Sequence, residues 1–120
     1  AKHTAVAKFT IASGRETAQT LWETYGPLDG LVCATDNMAV GALQYLKSRG
    51  IRVPEDVRIT GQGGADLCDV TTPAITTIRY FYEESGVNAA SLLMERLENP
   101  DAPAKEIKLG YSIVEKESTR

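Results

Sequence analysis

The sequence predicts an α/β domain, a Rossmann-like parallel sheet with helices on both faces. Three observations carry that expectation. Apolar residues recur at helical spacing in three separate stretches. Two short, continuous apolar runs, Leu31 to Ala34 and Val57 to Thr60, read as buried strands of the kind a parallel sheet contains. A helical stretch lies between those runs, which makes a βαβ unit whose crossover should be right-handed.

Taken in order, Ala5 to Phe9 reads as a short strand. Ser13-Gly14-Arg15-Glu16 has the S-x-x-E spacing of a capping box. Behind it Ala18, Leu21, Trp22 and Tyr25 form one apolar stripe, stopped by Gly26-Pro27. Leu31 to Ala34, with Cys33 as a small buried hydrophobe, reads as a strand covered on both faces. Asp36 is placed to cap a helix whose inner face is Met38, Ala39, Ala42, Leu43 and Leu46, ending at Gly50. Ile51 to Asp56 connects to the second strand, Val57 to Thr60. Ile75 to Ile78 is extended after Thr72-Pro73. Val87, Ala90, Leu93, Met94 and Leu97 mark a third helix, with Met94 as core filling. Past the turn Asn99 to Pro103, the alternation Ile107, Leu109, Tyr111, Ile113 predicts a half-exposed strand.

Composition narrows the function classes. The chain has 120 residues, 42% hydrophobic and 24% charged, which is the balance of one globular domain. Its net charge is −3, and Lys and Arg never stand side by side. A DNA-binding module needs a basic face to neutralise phosphates, so direct DNA contact by this segment is not expected. Apolar runs are far shorter than the roughly 20 residues that cross a bilayer, so no membrane role is expected. Ala1 to Thr4 do not lead into the apolar core of a signal peptide. The only histidine is His3, and Cys33 and Cys68 form no CxxC pair, so neither a metal site nor any cofactor is expected.

The loop Gln62-Gly63-Gly64-Ala65-Asp66 ends the second strand. It lacks the lysine and hydroxyl of a phosphate-binding loop and the spacing of a dinucleotide fingerprint. It reads instead as the lip of a ligand cleft, because open α/β sheets bind ligands beyond the carboxyl ends of their strands.

Four blocks in order resemble the LacI/GalR family of bacterial transcription regulators. They are Cys33-Ala34-Thr35-Asp36-Asn37-Met38-Ala39-Val40-Gly41-Ala42-Leu43, then Gly50-Ile51-Arg52-Val53-Pro54-Glu55-Asp56-Val57, then Thr72-Pro73-Ala74-Ile75-Thr76-Thr77-Ile78, and last Lys116-Glu117-Ser118-Thr119. The resemblance implies a type I periplasmic-binding-protein-like fold of two Rossmann-like subdomains around a cleft, present here only in part and preceded by a helix-turn-helix that is absent from residues 1–120. It implies that residues 1–72 and 106–120 belong to the C-terminal subdomain, while about 75–98 cross into the N-terminal one. If these residues were made alone, the apolar face of that excursion would be exposed and would promote association.

It further implies a cytoplasmic, homodimeric, sugar-responsive repressor, with operator DNA bound only through the upstream domain. The effector would be a sugar or sugar phosphate, held by fixed hydrogen-bonding groups around an apolar ring partner. The matching positions are Thr35 and Asp36 at the first strand end and Phe9 as a stacking partner. Asp36 is either a helix cap or a ligand, or both. Phe9 is equally explained by packing at a strand end. Many members end the second strand with an Asp where Gly63 stands here, so either Gln62 or Asp66 substitutes or the ligand differs. The runs Cys33 to Asn37 and Lys108 to Tyr111 look most like members that control sucrose use. A periplasmic sugar-binding protein of a transport system shares the fold and is the alternative. An enzyme is not expected, since neither G-x-S-x-G nor H-E-x-x-H occurs.

Overall fold

The computed structural model describes residues 3–120. They form two compact units, residues 3–79 with 113–120 and residues 80–112. Ile75 to Arg79, expected within the excursion, count with the first unit.

The first unit begins with α1 (Ile11–Tyr25). Thr10 is its N-cap, with Oγ1 accepting from the Ser13 N–H, so the helix starts one turn before the expected Ser13 cap. The Ser13 hydroxyl is already taken, accepting from the Lys8 N–H at 2.9 Å. Gly26 and Pro27 end the helix as expected. Ala5 to Phe9 is not a strand; it runs as irregular chain into the cap, with Val6 fully exposed.

Strand β1 (Gly30–Val32) leads through Thr35 into α2 (Asp36–Ser48). β2 (Arg58–Gly63) follows, then β3 (Thr76–Tyr80). Both β1–β2 and β2–β3 pair in parallel, with Leu31 beside Ile59 and Gly61 beside Thr77. β4 (Tyr111–Val114) completes a sheet of order β1-β2-β3-β4. β1 is therefore an edge strand. Leu31 is buried, but Val32 is 91% exposed, so this strand is covered on one face only. The continuous apolar run did not reveal that.

The core gathers Ala39, Leu43 and Leu46 of α2 with Leu31, Val57, Ile59 and Ile75. α1 joins it by close contact with α2. A Cβ on Gly41 would lie 2.0 Å from the Ile11 carbonyl oxygen, and one on Gly14 would lie 2.4 Å from that of Met38. The two helix backbones touch, and only glycine fits at the crossing. The chain's last turn is folded back into the core: Ser118 is fully buried, donating to the Ile59 carbonyl at 2.6 Å and accepting from the Thr76 N–H at 2.9 Å.

The second unit is mainly α3 (Tyr82–Glu98). Glu83 and Glu84 in its first turn and Arg96 in its last complement the helix dipole. None of its residues is buried. Val87, Leu93, Met94 and Leu97 are more than half exposed, so Met94 fills no core here. The predicted strand from Ile107 is shorter than its alternation: only Tyr111–Val114 are extended and paired, and Tyr111 and Ile113 are its exposed residues.

Candidate functional site

The carboxyl ends of β1 and β2 bring the chemistry of the first unit together. Beyond β1, Cys33 N–H still donates to the Thr60 carbonyl, which extends the pairing to the brink of α2. Thr35 then turns the chain. It is the N-cap of α2, its hydroxyl accepting from the Met38 N–H at 3.3 Å. Asp36 was the expected cap, and the structure corrects this: it is the first helical residue, and its carboxylate turns inward.

Asp36 is 3% exposed. Its Oδ1 accepts from the Thr77 hydroxyl at 2.6 Å, and its Oδ2 accepts from the Ala65 N–H at 2.8 Å. The Thr77 oxygen in turn accepts from the Gly64 N–H at 3.1 Å. Room for the carboxylate comes from Gly61, where a Cβ would lie 2.3 Å from Oδ1. A negative charge at the first turn of α2 is favoured by the helix dipole, and hydrogen bonds to an ionised acceptor are the strong kind. Both carboxylate oxygens are thus engaged by donors of the protein itself.

The other expected residues are placed differently. Gln62 is half-buried on β2, beside Ile78 in the register. Asp66 is exposed and opens the 3-10 turn Asp66–Cys68. Phe9 is 69% exposed, and its carbonyl accepts from Asn37 Nδ2 at 3.4 Å, which holds it near the start of α2. Gly63 has φ +134°, and Gly64 has φ +74°. Residues with a Cβ rarely adopt these conformations, so an Asp at 63 would strain this loop.

Both thiols are held in the protonated form well above the usual thiol range. Burial pushes the Cys33 thiol up to about 11. Burial first, and the Asp36 carboxylate beside it second, push Cys68 up to about 12. A groove of about 600 Å³ runs along the outer side of β1, lined by Leu21, Leu31 and Val32 among others, and reaches Cys33 and Met38 at the carboxyl end of that strand. Sequence reasoning missed Thr77, Ala65 and Gly61. The Thr76-Thr77 pair was legible only as strand, because its partner Asp36 lies 41 positions earlier.

A family model described as a periplasmic binding protein-like domain matches residues 1–119. The chain belongs to that family. Among curated relatives it is similar to the HTH-type transcriptional repressor PurR of Vibrio atlanticus, 31% identical over 88 residues, covering 73% of this chain and 26% of that protein. Among solved structures it is similar to the transcriptional regulator CelR in complex with cellobiose, at a TM-score of 0.89 and 28% identity, covering 93% of this chain and 34% of that one. It is also similar to a LacI family transcriptional regulator of Arthrobacter sp. FB24 in complex with lactose, at a TM-score of 0.84 and 31% identity, covering 96% of this chain and 43% of that one. The four sequence blocks point to LacI/GalR regulators within the family, and these neighbours are regulators. The chain spans about a quarter of the curated relative's length.

Proposed function

We propose that this chain is the effector-binding end of a sugar-responsive transcriptional repressor of the LacI/GalR type. The observation that carries the reading is the rigid, polar platform at the strand ends. Thr35, Gln62 and Asp66 offer hydrogen-bonding groups there, and Phe9 offers an exposed ring near the start of α2. Vicinal hydroxyls and an apolar sugar face need such a combination. The cellobiose and lactose complexes of regulators with the same fold support a carbohydrate as the ligand class. Asp66 is the exposed carboxylate of the loop and stands in for the Asp that Gly63 replaces. Similarity to regulators favours this reading over the transport protein and over an enzyme.

In the complete repressor, a helix-turn-helix upstream of this chain reads the operator, and two copies pair in the cytoplasm. The effector acts by preferring one of two arrangements of the whole protein, and shifts their balance only by its difference in affinity for them. Calorimetric titration of the complete regulator with cellobiose, lactose, sucrose, fructose, trehalose and the phosphates of the last three tests this. Heat of binding is expected with at least one of them, weakened about tenfold by Asp66→Asn. Silence with all of them overturns the carbohydrate reading.

A further inference from the structure

Asp36 stands at the front of α2, yet everything its carboxylate touches belongs to other elements. One oxygen takes the Thr77 hydroxyl of β3, and the other takes the Ala65 N–H of the loop after β2. Thr77 donates to Asp36 at 2.6 Å, far closer than its other acceptor, the Ile78 carbonyl at 3.4 Å, and its oxygen accepts from Gly64 N–H at 3.1 Å. Two consecutive loop amides, those of Gly64 and Ala65, are thus drawn inward by one buried pair of side chains. Gly64 is further packed against Arg79, where a Cβ would come within 3.1 Å of the Arg79 backbone. With its amides held inside, the loop is left to present Asp66 outward, and Asp66 is exposed.

We propose that Asp36, pinned to Thr77, is a positioning residue that fixes the backbone of Gly64 to Asp66 for the effector without contacting it. This rests on the strand ends being the effector site, and it assigns the fixed geometry of that site to a residue the ligand never meets. The pin also ties the loop to β3 only two residues before Arg79, where the first unit ends. An effector pressing on the loop therefore acts through the same pair on the strand that leaves the unit.

Two measurements test it. The first needs no ligand: amide hydrogen exchange of the 120-residue chain. In Asp36→Asn an amide group replaces one acceptor, so exchange at Gly64 and Ala65 should rise about tenfold or more, with β2 unchanged. Thr77→Val should loosen Gly64 in the same way, and Thr77→Ser, which keeps the hydroxyl, should restore protection to within about twofold. Unchanged protection of Ala65 in Asp36→Asn overturns the proposal.

The second is titration of the complete regulator with cellobiose and lactose. Affinity for whichever sugar binds should fall about tenfold in Asp36→Asn and Thr77→Val and recover in Thr77→Ser. A lowered melting temperature with affinity intact would mean that the pin is structural only, and would also overturn the proposal. If neither sugar binds the parent protein, the carbohydrate reading is weakened, while the exchange result still decides whether the pin holds the loop.

Discussion

Gly14 and Gly41 set the distance between α1 and α2, and the two residues can be probed directly. In Gly41→Ala the new Cβ meets backbone atoms of Ile11 and Arg15, which cannot rotate away. The helices must part, and thermal unfolding should report a loss of about 1–3 kcal/mol. Gly86, on exposed α3, has nothing within 4 Å of a built Cβ. There Gly86→Ala should stabilise the helix by about 0.5–1 kcal/mol, because only the backbone entropy changes. The thiols give a second test. With Cys33 near 11 and Cys68 near 12, neither should react with Ellman's reagent at pH 8 in the folded chain, and both should react in denaturant. Because both values exceed the ordinary 9.0, the unfolded chain ionises first as pH rises. Stability should therefore fall between about pH 9 and 12. At the other end of the scale, the Arg52 guanidinium and backbone N–H hold the Asp56 carboxyl at about 2. Any stability from this exposed pair is present above pH 4 and lost as pH falls through about 2. Its NMR titration should move back toward 3.8 in Arg52→Gln.

Among the elements, the short C-terminal turn Glu117–Thr119 holds more than its size implies. Ser118 satisfies buried backbone groups on two strands, Glu117 accepts from the Ala74 N–H at 2.9 Å, and the Thr119 and Thr76 hydroxyls bond at 2.6 Å. Ser118→Ala leaves the Thr76 N–H and the Ile59 carbonyl unpaired, and should cost about 2–3 kcal/mol in denaturant unfolding. The sequence blocks marked this turn as distinctive, but nothing local says that its serine is buried. The helices were legible from period and breakers, since both signals are local. Their starts were less so. Ser13-x-x-Glu16 has the spacing of a cap, yet α1 begins at Ile11, because the Ile11 carbonyl lies against Gly41 and the first turn must exist to reach it. Tertiary contact decided between two adequate caps. At Asp36 the outcome is similar: Thr35 could cap as well, and a buried hydroxyl on β3 claimed the carboxylate.

At the scale of the whole molecule, the strand ends were legible as the candidate site, because parallel α/β topology favours ligand entry beyond the carboxyl ends of the strands. Which groups face the ligand was not, since burial of Asp36 depends on residues 29 and 41 positions away. The bare faces were half legible. The apolar stripe of α3 was legible from its helical spacing, whereas the bare side of β1 does not follow from an apolar run. Val87, Leu93, Met94 and Leu97 all lie open on α3. The isolated 120-residue chain should therefore self-associate with rising concentration in sedimentation velocity, and Leu93→Glu with Leu97→Glu should restore a monomer. A chain that stays monomeric without those changes would contradict this.

The placement of Ser118 also has a consequence for biosynthesis. A ribosome releases β2 and β3 well before it makes the residue that links them, 59 positions after Ile59 and 42 after Thr76. All of residues 80–112 emerge in between. Folding that proceeds from the N-terminus as the chain is made must therefore wait at a nearly finished sheet, with a buried carbonyl and a buried amide still wet, until the last turn arrives.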